Sequence, residues 1–162
     1  MGIEADVSAA SRFSIGVYGG DRADLLPWFR MADDSDLEIA RYRDAGDVLV
    51  AVEADRIVGH AQVLHAGTWQ LNSIAVAESH RRLGLGRALV EAAIEHVRRR
   101  GARLLEVATG AADTGLLRFY QRLGFRLARI ERDAFTPAAG YAPGLTVDGI
   151  PLLDRVWLDR AL

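Results

Sequence analysis

The chain has no cysteine among its 162 residues. That excludes a disulfide framework, a thiolate metal site and a cysteinyl acyl-enzyme together. Basic charge is not in excess either: 20 Lys plus Arg against 22 Asp plus Glu give a formal net charge of −2. A dedicated nucleic-acid binder presents a strongly basic face, so nucleic acid is not an expected partner. No apolar run approaches the roughly 20 residues of a membrane span, and the N-terminus lacks the apolar core of a secretion signal. The cytoplasm is therefore the expected address, with no membrane partner. Proline is scarce, at four residues, and Pro137, Pro143 and Pro151 fall together in one late stretch. No His, Asp and Glu spacing suggests a metal site, and Ser73 and Ser79 lack a His–Asp partner set in sequence.

What is present is the composition of an ordinary globular protein, 50% hydrophobic and 26% charged, and long enough for one domain over 1–162. After a small, polar lead-in at 1–11, alternation predicts a strand over 12–18. Asp21 is placed to cap a short helix over 22–30, which Pro27 should kink or split. Ser35-x-x-Glu38 has capping-box spacing and predicts a helix over 36–44. The β-rich runs 47–53, 57–66 and 68–76, joined at Ala54-Asp55-Arg56 and Gly67, predict an antiparallel meander covered on both faces. A helix over 85–100 has only a narrow polar stripe, Arg87, Glu91, Glu95 and Arg98, and should be largely buried. The run Arg98-Arg99-Arg100 is its solvated end, where cations suit the helix dipole. Gly101 stops it, and 103–109 follows as a parallel partner strand. Asp113 or Thr114 caps a helix that ends at Gly124. Strands over 125–133 and 153–158 pair as a long hairpin within 125–160, around an excursion at 134–151. The expected fold class is α/β (α+β), a mixed, mainly antiparallel sheet of about seven strands with about four helices.

The stretch His80-Arg81-Arg82-Leu83-Gly84-Leu85-Gly86-Arg87-Ala88 lies where a strand hands over to the longest helix. A helix start carries unpartnered N–H groups and partial positive charge, and so suits an anion. Gly84 and Gly86 let the anion approach the backbone, and Arg81, Arg82 and Arg87 add charge suited to phosphate oxygens. A P-loop would need a Lys-Ser or Lys-Thr pair where Arg87-Ala88 stands. A dinucleotide loop would need Gly or Ala at Leu89 and a tighter turn than 77–83 permits. Glu106, about 20 residues on, nevertheless stands where a ribose-binding acid would, and it keeps a dinucleotide site as a second reading.

Arg81-x-x-Gly84-x-Gly86 entering a helix resembles the acyl-CoA pyrophosphate loop of the GNAT family of N-acetyltransferases. Residues 113–125, with their Tyr120-x-x-x-Gly124-Phe125 ending, resemble that family's later helix. The two motifs stand in the family's order and spacing, and the resemblance spans 48–128. It implies acetyl-CoA as cosubstrate, no metal, and an amine acceptor. The implied reaction is N-acetylation of a small-molecule primary amine by direct attack in a ternary complex. Alternatives are a protein or peptide N-acetyltransferase and a non-catalytic CoA-binding regulatory domain. The C-terminal strands offer an edge for a possible homodimer.

The resemblance also implies roles for residues. Backbone groups of Ile74, Ala75 and Val76, on a strand splayed by a bulge, would hold the pantetheine arm and the thioester oxygen. The diphosphate would rest on Arg82, Leu83, Gly84, Leu85, Gly86 and Arg87, beside Arg81. Asp113 stands where the family often has asparagine, and serves as a pantetheine contact or only as a helix cap; Leu116 stands where alanine is common. By pattern alone Tyr120 is a core aromatic. The resemblance implies a general acid, since a phenol of pKa near 10 keeps its proton at neutral pH and can pass it to a departing thiolate. The base is open between Glu53, His60, His65 and water. The segment over 22–44 would lie beside the acceptor cleft. Its Asp33, Asp34, Asp36 and Glu38 read first as helix N-terminal charges and second as an acidic lip for a cationic amine.

Overall fold

Four consecutive residues, Val48, Leu49, Val50 and Ala51, are all buried on strand β2 (Asp47–Glu53). Successive strand side chains point to opposite faces, so both faces of this strand must be covered. In the computed structural model, which describes residues 12–162, they are. Val48 and Val50 pack with Leu25, Phe29 and Ile39 on one face. Leu49 and Ala51 join Leu89, Ala93 and Val97 in the larger core on the other. The lead-in expected over 1–11 lies outside the described residues.

The remaining strands are β1 (Ser14–Val17), β3 (Arg56–Ala66), β4 (Thr68–Val76), β5 (Leu104–Gly110), β6 (Arg126–Glu131), β7 (Thr146–Val147), β8 (Ile150–Pro151) and β9 (Arg155–Ala161). Seven form one sheet in the order β1-β2-β3-β4-β5-β9-β6, with β7 and β8 a separate ribbon. Only β4 and β5 pair in parallel. The helices are α1 (Leu26–Ala32), α2 (Asp36–Tyr42), α3 (Leu85–Arg98) and α4 (Thr114–Arg122). The expected mixed, mainly antiparallel sheet with four α-helices is the observed one.

Local departures have local causes. The helix expected over 22–30 is split: a 3-10 turn Arg22–Leu25 is capped by Asp21, and α1 begins at Leu26 with Pro27 in its first turn. There the missing proline N–H would have had no helical partner anyway. The Ser35 cap is observed, with Oγ accepting the Glu38 N–H at 3.1 Å. The final strand starts later and runs further than the expected 153–158. The Leu153 carbonyl is taken by the Phe135 N–H, while Asp159, Arg160 and Ala161 continue the ladder against Glu106, Leu105 and Leu104. The polar pair Asp159-Arg160 concealed that extension.

Helix α3 buries Leu85, Leu89, Val90, Ala93, Ile94 and Val97. Each large side chain contributes about 1.5–3 kcal/mol on burial, so packing, more than propensity, holds this helix and the loop before it. The strand leading to that loop is interrupted. Against β3, Ser73 pairs with Gln62 and Leu71 with Val63, leaving Asn72 as a bulge. Parallel pairing with β5 covers only Trp69, Gln70 and Leu71. Beyond the bulge β4 keeps β3 and leaves β5, so its outward N–H and C=O groups have no strand partner.

Candidate active site

Gln62 holds the bulge. Fully buried, it accepts from Asn72 Nδ2 at 3.1 Å through Oε1 and donates through Nε2 to the carbonyls of Tyr42 and Ala45 at 2.7 and 2.8 Å. The splay it fixes opens two cavities. One, of about 740 Å³, is lined by Ile74, Ala75, Val76, Arg81, Arg82 and Gly86, with Phe119 and Asp113. The other, of about 310 Å³, lies under the excursion and is lined by Asp33, Asp34, Tyr42, Ser73, Tyr120 and Trp157 among others. Ala32, Ile74, Asp113 and Leu116 line both, so the two cavities meet at the splayed strand and the start of α4.

On the first side, Gly84 precedes α3 at φ 80 with no side-chain cap on the helix. The amides of Leu85, Gly86 and Arg87 are therefore left for an anion. Arg82 sits at φ 63 in the same turn, a left-handed conformation that a bulky residue adopts only when its surroundings impose it. Leu85 gives its side chain to the core and Leu83 is exposed, so both offer backbone only. Arg87 is turned along the helix to Glu91, Nε to Oε1 2.8 Å. Its side chain is not aimed at the loop, contrary to the sequence expectation. Asp113 caps α4, Oδ1 accepting the Leu116 N–H at 2.9 Å, and faces both cavities.

Tyr120 lines the second cavity and is 2% exposed. Its ring packs edge-on to Phe119 and Phe125. Its hydroxyl has no hydrogen-bond partner among the described residues. Burial, and after it the charge of Asp113, raise its pKa, so the phenol holds its proton.

The base candidates separate. Glu53 is tied to Arg12 and to His80 Nε2 at 2.6 Å; the His80 bond and then Arg12 hold its carboxyl below the usual carboxylate range. It lines neither cavity. His65 is exposed and stacks on Trp69, also lining neither. His60 is fully buried, with its pKa pushed down by burial to about 4. It reaches the second cavity only through Ser73, Nε2 to Oγ 2.9 Å. Glu106 is overturned as a ribose acid. It pairs in register with Gln70 at the far end of β4 from the loop, and its carboxylate accepts from Thr68 Oγ1 and Arg129 Nη1, each at 2.7 Å. Among the described residues, no group of three or more His, Cys, Asp or Glu could hold a metal, and no helix is long and apolar enough to cross a membrane.

The sequence profile of the acetyltransferase (GNAT) family matches residues 20–125, well over half the chain. The chain belongs to the GNAT family of acyltransferases. Among its GNAT relatives, the uncharacterized N-acetyltransferase YvbK of Bacillus subtilis (strain 168) is 32% identical over 140 residues, 84% of this chain and 89% of that one. A GNAT acetyltransferase from Elizabethkingia anophelis, solved with acetyl-CoA bound, superposes with a TM-score of 0.85 at 26% identity, covering 94% and 99% of the two chains. A Bacillus subtilis acetyltransferase solved with CoA gives 0.83 at 30% identity, covering 93% and 99%.

Sequence reasoning placed the loop, the bulged strand and α4, but missed the second cavity's polar network. Asp33 Oδ1 accepts from Tyr141 Oη at 2.9 Å and Oδ2 from Tyr42 Oη at 3.1 Å. Asp33 and Tyr141 are 108 positions apart, and neither tyrosine stands in a recognisable motif. Of the four acidic residues at 33–38, Asp33, Asp34 and Glu38 line the cavity. Asp36 instead faces Arg30, with Nε to Oδ1 at 2.9 Å.

Proposed function

We propose that the chain transfers the acetyl group of acetyl-CoA to the primary amine of a small molecule, by direct attack with both substrates bound. The observation that carries this is the meeting of two cavities at Ile74, Asp113 and Leu116 beside the unpaired edge of β4. Acetyl-CoA would supply an acetyl thioester at that junction. Arg81, Arg82 and the amides of residues 82–87 suit its diphosphate, and the freed backbone groups of Ile74, Ala75 and Val76 suit its pantetheine arm and carbonyl oxygen. Asp113 orders the turn at the junction by capping α4. Tyr120 Oη, on the wall of the second cavity, holds a proton for a departing thiolate.

The acceptor's proton goes to water. His60, held near pKa 4 by burial, is a poor proton sink for an ammonium of pKa ~10.4. Its role is to hold the Ser73 hydroxyl. A small acceptor is favoured over a polypeptide because the excursion, with Phe135 and Val147, and Leu152 just after it cover the second cavity. It is pinned there by Tyr141 on Asp33 and by Ser35 Oγ donating to the Ala139 carbonyl at 2.6 Å. About 310 Å³ lies at the small end of ligand-pocket sizes.

The test is thiol release from acetyl-CoA with a panel of small amines and short peptides, alongside CoA titration by calorimetry. Gly84→Glu places a carboxylate at the anion site and forces a side chain into φ 80, at about 1–2 kcal/mol of strain. It should abolish CoA binding in a chain that still folds. Amine-dependent turnover with loss of CoA binding in Gly84→Glu supports the assignment. CoA binding without turnover on any amine or peptide would leave a binding domain only.

A further inference from the structure

The acceptor cavity carries negative charge that the protein itself does not compensate. Asp33 accepts only from neutral donors: the Ser35 N–H at 3.0 Å and the hydroxyls of Tyr42 and Tyr141. Asp34, at the solvent-exposed mouth of the cavity, makes no hydrogen bond or ion pair among the described residues. Asp113 accepts an amide. Glu38 alone of the lining carboxylates has a cation, Arg41 at 2.5 Å. The one lining arginine, Arg155, is matched by Glu131 at 3.1 Å. Three carboxylates thus face about 310 Å³ with no cation among the described residues set against them. Beside them stands the hydroxyl of Tyr120, which lines the same cavity and makes no hydrogen bond among the described residues, so a ligand in the cavity can partner it.

A monoamine does not resolve this. The attacking nitrogen must be neutral to act as a nucleophile, so at the moment of reaction a monoamine leaves every carboxylate uncompensated. A second basic nitrogen of pKa ~10.4 keeps its charge throughout. Resting on the N-acetyltransferase reading above, we infer that the acceptor is a dication: a small primary amine with a second cationic nitrogen on a short apolar stem. The Asp33-Asp34 wall holds the second nitrogen, the stem lies along Phe135, Val147 and Leu152, and the reacting nitrogen stands toward Tyr120.

The experiment compares 1,4-diaminobutane with 1-aminobutane as acceptors for the full chain, at low and high salt, with calorimetric titration of 1,4-diaminobutane into the CoA-loaded protein. The diamine should be preferred about tenfold or more in kcat/KM, through KM, and high salt should narrow the preference. Asp34→Asn should reduce the diamine-to-monoamine ratio about threefold, and Asp34→Glu, which keeps the charge, should restore it. A melting temperature equal to the parent's shows that the variants fold. Equal turnover of the two amines, or a ratio unmoved by Asp34→Asn, overturns the dication and leaves the acetyltransferase reading standing. Turnover of neither these nor any panel amine overturns both.

Discussion

Replacing Tyr120 by phenylalanine removes a single oxygen from the wall of the second cavity. The ring stays among its edge-on neighbours, 5.1 Å from Phe119 and 5.6 Å from Phe125. The hydroxyl makes no hydrogen bond among the described residues, so its loss orphans no partner. Stability should therefore change by no more than about 0.5 kcal/mol, a melting shift of about 1–2 °C for a domain of this size. Turnover should respond very differently. A positioned general acid contributes about 10²–10⁴-fold, and even the lower figure is ~2.7 kcal/mol of barrier. Burial and Asp113 raise the phenol's pKa, so it stays protonated across the assay range, and the loss in kcat should be the same at pH 7 and pH 9. Steady-state kinetics with the best amine from the panel, together with CoA affinity by calorimetry, give the measurement. A kcat within twofold of the parent would remove Tyr120 from the chemistry. A fall in CoA affinity matching the fall in kcat would make it a positioning residue.

Two further outcomes follow from the polar interior. Tyr141→Phe removes one of two tyrosine donors on Asp33 and loosens the excursion. It should cost about 1 kcal/mol, lower the melting temperature by about 2–4 °C and raise KM for the amine several-fold, while CoA affinity holds; an unchanged KM would show that the excursion does not roof the acceptor. His60 titrates near 6.5 when unfolded and about 4 when folded, so below pH 6.5 the unfolded chain binds the extra proton and stability falls with pH. The loss should reach about 2 kcal/mol by pH 5. Urea midpoints should show His60→Gln losing correspondingly less between pH 7 and pH 5, and equal losses in both proteins would refute the shift.

Much of the fold is written locally. The Ser35 cap, the split at Pro27, the buried stripe of α3 and the turn at residues 54–55 depend on neighbours a few positions apart, and periodicity reports such neighbours directly. The glycine turn and the Tyr120 helix belong to the same class, which is why the family resemblance was legible. The bulge at Asn72 was expected only by that resemblance. Its cause, Gln62 bridging Asn72 to the carbonyls of Tyr42 and Ala45 at the end of α2, joins residues from separate elements.

The second cavity is different in kind. Asp33, Tyr42 and Tyr141 meet because α1, α2 and the excursion fold against one another. Their carboxylate and phenols carry no periodic signal, since what joins them is a pair of hydrogen bonds to Asp33 from residues 9 and 108 positions away. The same holds for the choice among bases: Glu53, His60 and His65 are equivalent in sequence, and only packing shows the first tied to Arg12 and His80, the second buried behind Ser73 and the third stacked on Trp69. The linear chain by itself determined the order of elements and the glycine turn before α3, because both rest on contacts between near neighbours. The tertiary structure alone decided which charges face the second cavity, because desolvation and pairing depend on what distant segments bring to the same few ångströms.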